Sequence, residues 1–324
     1  MRELTVAIDL YDRHLPLFMG LVPTPDELNI KFLEVGMAPP RRNGINRHRR
    51  MLVEKEFDVA EVSLASYIVA KDRGMTDLIG LPVFPRRLFS HNHLFVSERS
   101  GIKKPSDLVG KKIAIWAFQV TMSVLAKGDL LRDFDVPWQK ILWKTQHPEE
   151  IPIEYGDDVN IEFLGNNASI LDLLQSGEID GYINPHPPER IMTPGCGIHR
   201  LFEETQVTSK TYMEKYGYLP IMHLLVVKKS ILESNPSLGK QLISMFEQAK
   251  EKSRGFYVDP GFTQIPHVRI ALEHQISELG SNLWPSGVSQ NYKNLEDFIG
   301  YCVEQRLIPE PIEPESLFHP STIQ

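Results

Sequence analysis

Histidines 91 and 93 stand one residue apart in the run Ser90-His91-Asn92-His93. On a strand that spacing aims both imidazoles at one face, where they suit zinc, iron or copper. His186, His223, Asp9, Asp12 or Glu61 could complete such a site in space, so a divalent metal is one reading. The other makes His91 the general acid or base, because histidine titrates near neutral pH. His223 sits in the apolar run 221–227, and Glu61 interrupts the apolar run 57–62. A carboxylate in such a run is either paired or functional. His223 and Glu61 therefore join His91 as catalytic candidates, with core packing the alternative for His223. For anion binding, Arg41, Arg42, Arg47, Arg49 and Arg50 crowd one stretch, which is either a carboxylate site or a solvated basic face. Arg86 and Arg87 occupy a Pro-Arg-Arg turn, and guanidinium forks match carboxylates.

Those groups need elements to carry them. Residues 4–10, 30–35, 57–62, 77–83 and 92–97 read as strands, and 47–56 and 64–73 as helices, the rhythm of a mostly parallel sheet. Tyr11, Asp12, Arg13 and His14 follow the first strand, and Glu61 and Ser63 end the third. Ligands bind beyond such strand ends. Ser63 also suits a helix cap. After Gly101 a second βα section begins, with a strand to Ile115, helices near 121–132 and 169–175, a cap at Gly177 and a strand at 179–183. Thr121 opens the first of those helices, where free N–H groups suit an anion. His186 lies in the turn Pro185-His186-Pro187-Pro188. Trp116, Phe118 and Trp284 fit either ring stacking or the core. A strand at 221–227 is followed by helices to the end of the chain.

With 324 residues the expectation is about two domains. The formal net charge of −7 argues against a nucleic-acid partner. No apolar run is long enough to span a bilayer, so no membrane partner is expected. The two cysteines, Cys196 and Cys302, leave a disulfide open. Met1-Arg2-Glu3 runs straight into an apolar strand rather than a basic leader with an apolar core. A cytoplasmic location is the expectation, and a homo-oligomer is compatible with it.

The phrases KPSDLVGKKIAI (104–115) and LLQSGEIDGYI (173–183) resemble the type II periplasmic-binding-protein superfamily. That resemblance implies an α/β fold of two Rossmann-like lobes with a cleft and two hinge crossovers, at His93–Ser97 and Ile221–Val227. Lobe I would be discontinuous, 1–96 with 222–324, and lobe II would be 97–221. A closer resemblance, to the 4,5-dihydroxyphthalate decarboxylase family, rests on YDRH (11–14), RRMLVEKEFDVAEVSLASYIVA (49–70), PVFPRRLFSHNHLFV (82–96), YGYLPIMHLLVVKKSIL (216–232) and LWPSGVSQN (283–291). Three departures leave the exact substrate open. Ser90 and Lys127 stand where the family usually has arginine, and Ser286 where it has tyrosine.

The resemblance implies a carboxy-lyase of aromatic-compound degradation, with a small aromatic carboxylate as partner. Each carboxylated ring carbon of 4,5-dihydroxyphthalate lies para to a hydroxyl. Deprotonating that hydroxyl and protonating the ring carbon expels CO2, so the ring is its own electron sink and no cofactor is required. The expected site sets His91, His223 and Glu61 to acid–base work. Tyr11, Asp12, Arg50, Ser63, Arg86, Arg87, Thr121, His186 and Trp284 would bind substrate, Arg50 being the best family match in its cluster. Any metal would fall to His91 and His93. The alternative reading is a non-catalytic solute-binding protein for a small aromatic or carboxylate anion. A pyrimidine synthase of the same superfamily fits less well, because its cysteine-rich motif is missing.

Overall fold

A computed structural model describes residues 3–36, 46–187 and 189–323. Arg41, Arg42 and Pro188 lie outside them. The strands are β1 (Glu3–Ile8), β2 (Asn29–Glu34), β3 (Val59–Ser63), β4 (Leu78–Leu81), β5 (Leu94–Ser97), β6 (Lys112–Ile115), β7 (Leu142–Thr145), β8 (Ile161–Phe163), β9 (Gly181–Ile183), β10 (Ile198–Arg200) and β11 (His223–Lys228). They form two mixed sheets, ordered β2-β1-β3-β11-β4 and β10-β5-β9-β6-β7-β8. In the first sheet β1, β2 and β3 are parallel, and β11 runs antiparallel between β3 and β4. The expected two-lobed α/β architecture is therefore present.

Alternation along β1 shows how the sheet is buried. Val6 and Ile8 pack with Leu242, Met245 and Phe246 of the helix Leu238–Val258, while Ala7 joins the opposite core with Val62 and Tyr67. Sheet strands covered on both faces need near-continuous apolar runs, so a glutamate inside β3 is exceptional. Ser63 ends β3 and caps the helix Leu64–Asp72, its Oγ accepting the Ser66 N–H at 3.4 Å. The helix Ile170–Ser176 stops at Gly177, at φ 83°, as a C-cap glycine should.

One expectation is corrected. Residues 90–93 are not strand but a 3-10 turn, Ser90–His93, and β5 begins only at Leu94. With three residues per turn, His91 and His93 do not share a face. The two cysteines are free, Cys302 buried and Cys196 half-buried. Among the described residues, no helix is long and apolar enough to cross a membrane.

The segments joining the two sheets run side by side. Leu88 N–H donates to Pro220 O at 3.1 Å, Met222 N–H donates to Arg86 O at 2.8 Å, and Arg87 bridges to Ile221. The helix Tyr292–Glu304, beyond β11, packs on the helix Thr121–Phe134. Gln305 Nε2 donates to Val124 O at 2.8 Å, and the Tyr301 ring covers Gly128 so closely that an added Cβ would meet it at 2.4 Å. Gly128→Ala should therefore lower stability by about 1–3 kcal/mol, the usual cost of overpacking, as a fall in the denaturant midpoint.

Candidate active site

The site begins with the register of β3 and β11. His223 lies opposite Ser63, and Leu225 opposite Glu61. Glu61 and His223 are then diagonal neighbours on adjacent strands, within reach for long side chains. His223 Nδ1 bonds Glu61 Oε1 at 2.5 Å. Tyr11 Oη donates to the same oxygen at 2.9 Å, and the Asp9 N–H donates to Oε2 at 3.3 Å. Arg47 Nη2 stands 3.2 Å from Oε1, and Arg47 Nε donates to the Glu61 carbonyl at 2.8 Å.

Glu61 and Arg47 are both fully buried. Burial alone would raise the Glu61 carboxyl, but the Arg47 guanidinium and the hydrogen-bonded His223 bring it well below its ordinary value. The ionised carboxylate can only accept, so His223 carries a proton on Nδ1, and in the neutral ring Nε2 has the lone pair. Burial, partly offset by Glu61, lowers the imidazole below its usual value. His223 is thus a buried imidazole hydrogen-bonded to a buried carboxylate. The His48 ring meets it edge-on at 4.8 Å between centroids, and His48 Nδ1 is buried without a partner.

The helix Arg47–Leu52 explains how the arginine cluster divides. Arg47, His48, Met51 and Leu52 face inward, the spacing of one helical face. Arg49 and Arg50 face outward and pair with Glu54 and Glu56. Arg50 holds both Glu56 oxygens at 2.7 Å, and it lines neither of the cavities described next.

Two cavities meet at Arg86 and His186. The inner one, about 50 Å³, is lined by His48, Ser63, Trp116, Thr121, Glu150 and His223 together with that pair. The outer one, about 310 Å³, is lined by Asp9, Tyr11, Arg13, Arg87 and Trp284 with the same pair. Arg86 Nη1 donates to His186 Nε2 at 3.0 Å, and Nη2 donates to Pro185 O at 2.7 Å. Burial and the Arg86 charge hold the His186 imidazole down at about 3. Ser63 Oγ and Thr121 Oγ1 share a hydrogen bond of 2.9 Å, and Thr121 Oγ1 also accepts the Ala65 N–H at 3.1 Å. The first sheet and the helix following β6 thus meet directly over the inner cavity.

The structure brings together Glu61, His223, Tyr11, Ser63, Arg86, Arg87, Thr121, His186 and Trp284. Within this group Arg87 is committed to the backbone. Its guanidinium donates to Leu219 O and Pro285 O, each at 2.9 Å, and to Asn291 Oδ1 at 2.5 Å. Burial lowers it to about 9. Asp12 stays at the exposed rim, where it pairs with Arg13 and accepts from Tyr257. Trp284 lies under the Arg13 guanidinium, 4.1 Å away.

His91 is elsewhere. It lines a separate cavity of about 330 Å³ with Ser90, Asp129 and Tyr212, sharing a 3.1 Å hydrogen bond with Ser209. Burial, with His93 nearby, lowers it to about 4. In the same cavity, burial pushes the Asp129 carboxyl up to about 7, against hydrogen bonding from Ser90 and the Arg132 charge. His93 turns instead to Asn184 O, at 3.2 Å. Among the described residues no three His, Cys, Asp or Glu side chains converge as metal ligands. Glu150 and His48 line the inner cavity yet were not singled out from sequence.

No family model matches the chain. A curated protein of Comamonas testosteroni, named 4,5-dihydroxyphthalate decarboxylase, is 28% identical over 330 residues, covering 99% of this chain and 98% of that protein. One of Pseudomonas putida with the same name is 27% identical over 169 residues, 50% of this chain and 66% of that protein. Among solved structures, the periplasmic aliphatic sulphonate binding protein of Escherichia coli superposes with a TM-score of 0.59 at 16% identity, covering 100% of this chain and 94% of that one. The alkanesulfonate-binding protein of Xanthomonas axonopodis pv. citri, bound to MOPS, gives 0.57 at 15% identity, over 98% and 97%. The chain thus has the periplasmic-binding-protein fold and is similar over its whole length to a protein named 4,5-dihydroxyphthalate decarboxylase.

Proposed function

We propose that this chain is a carboxy-lyase for a dihydroxylated aromatic carboxylate of the 4,5-dihydroxyphthalate type, working without an organic cofactor. The full-length relative named for that activity supports the reaction class. The observation that carries the chemistry is the hydrogen bond between buried Glu61 and His223, whose imidazole lies on the wall of the inner cavity. His223 Nε2 takes the proton of the ring hydroxyl para to the carboxylate to be lost. Arg86, on the wall of both cavities, supplies the fork that a carboxylate needs. Ser63 and Thr121 add hydroxyl donors.

Two structural facts bear on the substrate. Ser90 donates to Asp129 at 2.5 Å in the separate cavity. Lys127 is fully buried, donating to Phe118 O at 3.0 Å. Neither of these residues, nor Ser286, lines the inner or outer cavity. The departures therefore leave the pocket walls intact, which supports retention of the family's substrate class. The inner cavity of about 50 Å³ is far below the ~300 Å³ at which ligand pockets begin. On this reading the cavity widens to admit the ring, and the Ser63–Thr121 hydrogen bond is the contact that parts.

Purified protein incubated with 4,5-dihydroxyphthalate should release one CO2 per ring and leave 3,4-dihydroxybenzoate. Tight binding without CO2 release across a panel of hydroxylated aromatic acids would make the chain a solute receptor instead.

A further inference from the structure

Decarboxylation needs an acid as well as a base. We propose that Glu150 is that acid, delivering the proton to the ring carbon that loses its carboxylate. The inference rests on the carboxy-lyase reading above. Glu150 lies in the segment after β7, in the part of the chain that carries the second sheet. It lines the inner cavity together with His48, Ser63, Arg86 and His223. Base and acid thus share one cavity, as a ring bound there requires. Glu150 Oε2 is buried and has no hydrogen-bond partner. An orphaned buried oxygen is costly for a carboxylate but suits a neutral carboxyl that awaits an acceptor.

Its neighbour Glu149 has the opposite surroundings. Glu149 accepts the N–H groups of Phe118 and Gln119 at 2.8 and 2.9 Å and the Tyr155 hydroxyl at 2.7 Å. Adjacent carboxyls in such contrasting environments are a usual feature of acid–base sites. Burial, and then the Glu149 charge, raise Glu150 to about 8, although Arg49 and Arg47 pull the other way. The remaining groups facing the cavity are His48, Arg86, His186 and His223. The three imidazoles are all lowered, so Glu150 holds its proton at neutral pH beside neutral rings.

The step balances. His223 removes the phenolic proton, and the freed pair moves through the ring to the para carbon. That carbon forms a C–H bond to the Glu150 proton, leaving Glu150 as carboxylate. The C–C bond then breaks, its electron pair restores the aromatic phenolate, and CO2 departs. His223 returns its proton to the phenolate, and water reprotonates Glu150.

The test compares wild type with Glu150→Gln and Glu150→Ala, using 4,5-dihydroxyphthalate as substrate and thermal unfolding to confirm folding. Glu150→Gln should lower kcat about 100-fold or more and change KM less than about threefold, the sparing expected when only a proton-transfer step is lost. Wild-type kcat/KM should fall on the alkaline side, and that limb should vanish in Glu150→Gln. Added ammonium chloride, whose small cation carries its proton at neutral pH, should restore part of the turnover of Glu150→Ala, which a merely structural role would not allow. Wild-type kcat in Glu150→Gln, or an unchanged alkaline limb, would overturn the assignment alone. If the variants do not fold, a wild-type profile flat above neutral pH overturns it. Absence of CO2 release by the wild type would overturn this inference together with the carboxy-lyase reading.

Discussion

His223→Gln should lower turnover of 4,5-dihydroxyphthalate about 10²–10⁴-fold, the usual contribution of a positioned general base, with KM little changed. The variant keeps a donor toward Glu61 but loses the Nε2 lone pair. Glu61→Gln should act in the same direction, because an amide facing Nδ1 no longer fixes the proton there. The pH dependence has a definite sign. His223 works as the free base and its imidazole lies below the ordinary value. Activity should therefore be full at neutral pH and disappear as pH falls through that lowered value. His91→Ala is the informative control. His91 occupies a different cavity and bonds Ser209, so near-normal turnover is expected. Lost turnover in His91→Ala beside normal turnover in His223→Gln would reverse the assignment of the base.

Arg47→Met should destabilise the fold by about 3–5 kcal/mol at neutral pH, the cost of leaving a buried charge without its partner. Arg47 holds the Glu61 carboxylate and carbonyl, stands 3.7 Å from Asp9 Oδ2 and donates to Val35 O. Removing it takes the Arg47 charge away from Asp9, just past β1, and from Glu61, inside β3. Glu61 has a folded value depressed well below its ordinary one. Its stabilising contribution is present above the unfolded value and is lost as pH falls through the folded one. The variant's deficit should accordingly shrink toward acid pH, as Glu61 takes up a proton. Urea midpoints for both proteins, from neutral to acid pH, measure it; a constant deficit would mean that Arg47 acts through packing alone.

Much of this was legible in the sequence, and the misses have physical causes. β3, β11, the Ser63 cap and Gly177 follow from apolar runs and capping chemistry. Glu61 announces itself as a charge inside an apolar run. Strands β8 and β10 have three residues each, too short for a periodicity to register. The His91–His93 reading failed because two residues make opposite statements on a strand and on a 3-10 turn. Arg50 and Arg47 are chemically alike, and only the phase of the helix Arg47–Leu52 decides that Arg47 turns inward. Glu150 gives no local signal, because its environment comes from residues about 60 to 100 positions away in the chain, at His48, Arg86 and His223.

The narrowness of the inner cavity also has a kinetic meaning. About 50 Å³ is small beside the ~300 Å³ at which ligand pockets begin. On the proposed function a ring needs more room than this, so capture would wait on an opening event. Observed association rates should then level off at high ligand concentration instead of rising in proportion to it. The plateau reports the opening frequency, which should rise when the Ser63–Thr121 contact is cut by Thr121→Val. For the same reason, crystals of this form would stay empty on soaking, and ligand would have to be present before the lattice forms.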